Sequence, residues 1–198
     1  MTIIQHRVNE LNKLKSVDER YGCEIDLRSI DNKIVLSHEP FTNGCEFETW
    51  IKQYHHSTMI LNVKEDGLEQ RILNILAEYH KTDFFFLDQT TPTQISMVGH
   101  GVSRFAIRVS EYETIQSAMK FVGKADWVWI DSFYPFSHNL DDLITLSDNG
   151  FRLCIVSPEL QSRPHEHEIS EIRRLTKNYS LVVDAVCTKY PALWEDHQ

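Results

Sequence analysis

What constrains this chain most is a rhythm of eight short apolar runs, rich in β-branched or aromatic residues, with amphipathic stretches between them. Apolar runs of this length, bounded by polar residues, predict strands at 2–6, 22–28, 59–64, 83–88, 104–109, 127–131, 152–156 and 181–187. Helices are predicted at 10–20, 68–79, 93–98, 114–122, 140–148 and 167–177. The second of these gives the reason most clearly. Leu68, Ile72, Ile75, Leu76 and Tyr79 recur at helical spacing, and Gly67 stands just before them.

Alternation of strand and helix implies parallel pairing, because each crossover must travel back along the sheet before the next strand begins. An open doubly wound sheet would satisfy the same rhythm, but eight units favour closure. The expected fold is therefore α/β, a compact (β/α)8 TIM barrel. A length of 198 residues is near the lower limit for that architecture, and no repeat, charge block or Pro/Gly/Ser linker divides the chain. One domain over residues 1–198 is expected. An extra extended piece at 33–38 follows Asp31-Asn32 and would fold back on the second strand, carrying His38 toward that strand's end.

The formal net charge of -9 argues against a nucleic-acid partner, since tracking a polyanion needs clustered Lys and Arg. It leaves small phosphodiesters open, because a bound cation lets an acidic protein accept an anion. Cys23, Cys45, Cys154 and Cys187 form no CxxC pair and read as reduced thiols packed as small hydrophobes. The first residues lack a basic segment followed by an apolar run, and no stretch approaches the roughly 20 apolar residues of a membrane span. A cytoplasmic protein without a transmembrane segment is expected.

In a (β/α) barrel the chemistry gathers where strand C-termini and their loops converge. The polar residues there are His6, Arg7 and nearby Asn9, then Glu24, Asp26 and Arg28, then Asn62 and Lys64, followed by Asp88, Arg108, Asp131 and Glu159. Side chains repeat every two residues along a strand, so Glu24, Asp26 and Arg28 share a face, as do Asn62 and Lys64, and as do Trp129 and Asp131. Two carboxylates on one face of a buried strand repel each other unless a cation lies between them, and oxygen ligands of this kind suit Mg²⁺ or Ca²⁺. The alternative is a metal-free network in which the carboxylates pair with Arg28, Lys64 or Arg108.

His6-Arg7 after the first strand, Glu24-Ile25-Asp26 on the second and His38-Glu39-Pro40 shortly after resemble the HR, ExD and HD elements that open glycerophosphodiester phosphodiesterases. Asn62-Val63-Lys64 is similar to that family's third element, in which a carboxylate precedes a lysine by two residues. The run from Asp184 to Pro191 is similar to its closing strand and loop. The resemblance reaches almost from end to end, is specific at the N-terminal elements and is only rhythmic in the middle. It extends to the phosphatidylinositol-specific phospholipase C-like superfamily.

The resemblance implies cleavage of a small-molecule phosphodiester with one divalent cation, Mg or Ca, and two histidines. His6 and His38 would serve as base and acid, in either order. Glu24, Asp26 and Asn62 would hold the cation; Lys64 and Arg7, with Arg108, would hold the phosphate oxygens. Asn9, Arg28, Asp88, Trp129, Asp131 and Glu159 are further candidates for the pocket wall. An in-line displacement at phosphorus needs one base and one acid on opposite sides, and imidazole titrates near neutrality.

Three departures stand out. Asn62 replaces the usual metal-binding glutamate. Phospholipase C relatives do use an asparagine in their calcium site, at a position nearer that of Asn9. Glu39 follows His38 where the family has aspartate, and the insertion that often precedes the third strand is nearly missing. A lyase that stops at a cyclic phosphate, or a barrel that binds a phosphorylated ligand without cleaving it, are the alternative expectations.

Other signals read as structural. His55-His56 and His165-Glu166-His167 lack a companion at zinc-ligand spacing, and Phe84-Phe85-Phe86 reads as a core strand. Gly99-His100-Gly101 lacks the remaining glycine of a dinucleotide loop, and no P-loop, GxSxG or HExxH motif occurs.

Overall fold

The structure, a computed structural model, describes residues 1–136, 138–179 and 183–195. In chain order its elements are β1 (Thr2–Gln5), α1 (Leu11–Ser16), β2 (Gly22–Ile30), β3 (Lys33–Leu36), β4 (Cys45–Glu46), α2 (Phe47–Ile51), β5 (Met59–Val63), α3 (Glu69–Glu78), β6 (Phe84–Leu87), α4 (Thr91–Gly99), β7 (Ala106–Val109), α5 (Ile115–Met119), β8 (Trp127–Ile130), α6 (Leu140–Asp148), β9 (Arg152–Val156), a 3-10 turn (Pro158–Gln161), α7 (Glu166–Asn178), β10 (Ala185–Thr188) and α8 (Pro191–Trp194). The chain divides into two compact units, Ile4–Gly101 and Val102–Gln198 with Met1–Ile3.

In the Ile4–Gly101 unit β2 is the organising strand. It pairs in parallel with β1 through Ile4 and Gly22, and with β5 over five residues from Cys23–Met59 to Leu27–Val63. β5 continues in parallel to β6. Past the end of β1, the same edge of β2 is taken by antiparallel β3, from Leu27–Leu36 to Ile30–Lys33. The hairpin turn is made by Asp31 and Asn32, both left-handed at φ 47 and 60, the backbone that a two-residue hairpin loop requires. Gly22 is where β2 enters against β5, and a Cβ there would lie 2.1 Å from Thr58 O. Any larger residue would push the two strands apart.

The other unit carries four parallel strands in the order β7-β8-β9-β10, with Trp127 paired to both Ala106 and Arg152. Thr2 N–H donates to Asp184 O at 2.7 Å. Three helices bury a narrow apolar stripe: Ile72 and Leu76 on α3, Leu143 and Leu146 on α6, Ile169 and Ile172 on α7. Burying one such side chain contributes about 1.5–3 kcal/mol, which is why short helices hold. Asn139 caps α6 by accepting from Asp141 N–H.

Each predicted strand and helix has a counterpart; 140–148 and 152–156 are met residue for residue as α6 and β9, and the ends of the others shift. The last predicted run, 181–187, becomes β10 and reaches Thr188; positions 181 and 182 lie outside the described residues. His6, Lys64 and Asp131 lie one residue past β1, β5 and β8, although Lys64 N–H still donates to Leu27 O and Asp131 N–H to Val109 O, both at 2.9 Å. α1 stops at Ser16, where Val17 turns extended. Four short elements go beyond the expectation: β4, α2, the 3-10 turn and α8. They span two to five residues, too few for a period to be read. Cys23, Cys154 and Cys187 are buried free thiols and Cys45 is half-buried. Among the described residues no helix is long and apolar enough to cross a membrane.

Candidate active site

The candidate residues of the Ile4–Gly101 unit gather around the middle of β2, from Glu24 to Arg28. Two successive outward carbonyls on one edge of β2 receive the two histidine segments: Glu24 O accepts Val8 N–H at 2.8 Å, and Asp26 O accepts Ser37 N–H at 3.0 Å. His6 and His38 are thereby anchored along the same strand, on the edge that β1 leaves and β3 takes over. His6 is partly covered, while more than a third of the His38 side chain is exposed.

Glu24 and Asp26 are each 1% exposed, so their charges must be met by protein groups. Asp26 is met generously. Lys64 Nζ lies 3.3 Å from Oδ1, Arg7 Nε 3.6 Å from Oδ2, and Asn9 closes a two-way clamp, Nδ2 donating to Oδ2 at 2.8 Å while Asn9 Oδ1 accepts Asp26 N–H at 2.9 Å. Glu24 is met more sparsely. Its Oε2 accepts Arg7 N–H at 2.7 Å with His6 Nε2 at 3.8 Å, and its Oε1 accepts Asn62 Nδ2–H at 3.1 Å. Burial first, and then the neighbouring charge of Asp26, push its carboxyl up to about 7 against the opposing Arg7 N–H, Asn62 amide and Lys64 ammonium.

Local backbone makes these contacts possible. Arg7 is left-handed at φ 57, which aims its N–H at Glu24, and Asp88 at the end of β6 is left-handed at φ 68, with Oδ2 3.7 Å from Lys64 Nζ. Non-glycine residues in this region carry a cost of roughly 1–2 kcal/mol each. The register Asp26–Asn62 puts those two side by side on one face. Asn62 is 8% exposed, and its Oδ1 is buried without a hydrogen-bond partner.

No protein-family model and no curated protein matches the sequence. Solved structures do match. A glycerophosphodiester phosphodiesterase from Thermotoga maritima is similar at a TM-score of 0.73 and 15% identity, over 98% of this chain and 96% of that one. One from Agrobacterium tumefaciens gives 0.69 at 11% identity over 98% and 99%, and a glycerophosphoryl diester phosphodiesterase from Parabacteroides distasonis gives 0.66 at 13% over 98% and 84%. The fold is that of the glycerophosphodiester phosphodiesterases.

That fold is a TIM barrel, in which sites are built at the C-terminal strand ends; Asn62 and Lys64 stand at that end of β5, with Asp26 in register beside Asn62 and Glu24 two residues before it on β2. Of the residues the sequence singled out, His6, Arg7, Asn9, Glu24, Asp26, Asn62, Lys64 and Asp88 form one connected set. Arg28 does something else: its Nε and Nη2 donate to His38 O at 3.2 and 3.0 Å, and Nη1 reaches Lys64 O at 3.5 Å. It braces the backbone of two candidate residues and does not pair with the carboxylates on its strand.

In the Val102–Gln198 unit of this phosphodiesterase fold, Arg108 pairs with Asp131 through Nη1, and its Nε lies 3.9 Å from Glu113. Asp131 also accepts Ser132 N–H at 3.0 Å and Gln161 Nε2–H at 2.8 Å. Glu159 accepts from Ser157 Oγ, Thr188 Oγ1 and Lys189 N–H, and Trp129 is 5% exposed. Sequence reasoning missed Lys13, whose ammonium holds His6 O at 3.0 Å and Arg7 O at 2.8 Å, and whose pKa is lowered by burial. A lysine early in the helix after the HR element was the available signal.

Proposed function

We propose that the chain is a divalent-metal-dependent phosphodiesterase acting on a small phosphodiester of the glycerophosphodiester kind, with His6 and His38 as its acid and base. The observation that carries the reading is the anchoring of both histidine segments on one edge of β2, at the level of the Glu24–Asp26 pair.

The donor set is compatible with a hard cation. Among the described residues no three His, Cys, Asp or Glu side chains gather as a metal site, so the set is two carboxylates and one amide. All three supply oxygen, and the unpartnered Asn62 Oδ1 is a buried acceptor that a cation would satisfy. A bound divalent cation would hold a nonbridging phosphoryl oxygen and offset the charge developing on it. Lys64 and Arg7 balance Asp26 and add positive potential for the same oxygens. One imidazole takes the proton of the attacking hydroxyl and the other donates to the leaving alcohol oxygen.

A second reading is favoured by Asn62. With one fewer anionic ligand, and with Lys64 and Arg7 already neutralising Asp26, the site suits a barrel that binds a phosphorylated ligand without cleaving it. The test is turnover of glycerophosphodiesters and a chromogenic diester with Mg²⁺, Ca²⁺ or Mn²⁺, with and without chelator, in the wild type, His6→Ala and His38→Ala. Activity abolished by chelation and by either substitution supports the enzyme. No turnover, with calorimetric binding of a phosphate ester in chelator, favours the second reading. Phosphorus NMR of any product distinguishes hydrolysis, giving a linear monoester, from a lyase, giving a persistent cyclic ester.

A further inference from the structure

We infer that Glu39 is a positioning residue that holds the His38 imidazole with its proton on Nδ1 and its lone pair on Nε2, so that His38 exchanges protons with the substrate through Nε2. Its bearing on catalysis rests on the phosphodiesterase reading above; the tautomer itself does not.

His38 Nδ1 lies 2.7 Å from Glu39 Oε1. An ionised carboxylate has only acceptors, so the ring nitrogen facing it must carry the hydrogen. In neutral imidazole the other nitrogen is then bare, and Nε2 is the only atom of His38 that can accept a proton. A carboxylate on the far nitrogen of a catalytic histidine is a general way to fix tautomer and ring orientation.

The contact is built into the backbone on both sides of the ring. Ser37 N–H is held by Asp26 O at 3.0 Å, and Ser37 Oγ donates to Glu39 O at 2.9 Å. Arg28 grips the intervening His38 O with two nitrogens, at 3.2 and 3.0 Å. The residues before, at and after His38 are each pinned, so the Glu39 carboxylate is delivered to the ring and does not merely wander past it. Glu39 is 72% exposed, so the pair adds little to stability. Its effect is on which nitrogen carries the proton.

The resulting step balances. With His38 as base, the proton of the attacking hydroxyl moves to Nε2 as the new O–P bond forms, the bond from phosphorus to the leaving oxygen breaks, and that oxygen takes a proton from His6; with His38 as acid, Nε2 gives its proton to the leaving oxygen and His6 takes the proton of the attacking hydroxyl.

Nitrogen-15 spectra of the histidine rings, with the His38 signals identified by their loss in His38→Gln, test the tautomer directly at a pH where the ring is neutral. The wild type is expected to show Nδ1 protonated and Nε2 bare. Glu39→Ala should move the signals toward the Nε2-protonated form, while Glu39→Gln, whose amide oxygen can still accept, should hold the wild-type pattern. On the best diester substrate, Glu39→Ala should lower kcat by about 10- to 100-fold with little change in KM, and Glu39→Gln should restore most of it.

A wild-type ring protonated on Nε2, or spectra indifferent to Glu39→Ala, overturns the inference whether or not the protein is active. A tautomer change with unaltered kcat overturns Glu39 as a positioning residue for the reaction. Complete inactivity of the wild type would count against the phosphodiesterase reading and the roles it assigns, and the spectra would still decide what Glu39 does.

Discussion

Asn62 donates its side-chain amide to Glu24 Oε1 at 3.1 Å, while its own buried Oδ1 receives no hydrogen bond. The amide thus serves one carboxylate with a donor and leaves an acceptor over. Replacing it by a carboxylate would remove the donor and place a third negative charge beside Glu24 and Asp26. In chelator, Asn62→Glu is therefore expected to lose about 3–5 kcal/mol of stability, the scale of an uncompensated buried charge. If these side chains share a cation, saturating Mg²⁺ or Ca²⁺ should restore most of that loss. Urea denaturation with and without the ion checks it; equal losses in both conditions would count against a shared ion.

Glu24 itself predicts a pH dependence. Its carboxyl titrates near 7 in the folded chain, against an ordinary value of 4.5. Between those values the native state holds a proton that the unfolded state has released. Stability in chelator should then be fullest below about pH 4.5 on this group's account, fall as pH rises toward about 7, and level off above it. The loss is on the order of 3 kcal/mol. Glu24→Gln should flatten that segment of the profile, measured by urea denaturation between pH 5 and 8, and an unchanged slope in the variant would assign the effect elsewhere.

The parts of this arrangement that were legible in the sequence are those set by short-range rules. Period-two alternation places Glu24 and Asp26 on one face, and the Asp31-Asn32 turn returns the chain so that Ser37 meets Asp26. The direction of Arg28 was not legible. Alternation assigns its Cβ to the same face as the carboxylates, but a long side chain at the end of a strand goes where acceptors are, and those are carbonyls of residues 38 and 64, fixed only by the tertiary fold. The Asn9 clamp was hidden for the same reason, its partner being 17 residues away, whereas the Lys13 grip on the carbonyls of residues 6 and 7 is local.

Arg28 consequently carries a prediction of its own. Arg28→Met keeps the stem and removes the fork on His38 O. Two charge-assisted hydrogen bonds to a half-buried carbonyl are worth about 1–3 kcal/mol together, and that loss should be visible in urea denaturation. Arg28→Lys, which has no planar fork, should recover only part of it. In either variant kcat should fall more than KM rises, because His38 loses its anchor while the groups around Asp26 stay in place. A change confined to KM would instead make Arg28 a substrate ligand.

Arg108 and Asp131 give the last prediction, within the Val102–Gln198 unit. Asp131 is 1% exposed and is held by Arg108, Ser132 N–H and Gln161, so both of its oxygens are occupied. About a quarter of the Arg108 side chain is exposed, which tempers the cost of stranding its charge. Asp131→Leu strips the acceptor from three donors and should cost about 3 kcal/mol. Arg108→Met leaves the carboxylate buried with its two neutral donors and should cost a comparable amount. If the pair is a structural unit, the double variant should be more stable than the sum of the single losses by about 1–3 kcal/mol, since neither charge is then left alone. Strict additivity would mean that Arg108 is not committed to Asp131, and would return it to the pool of groups available to a phosphate.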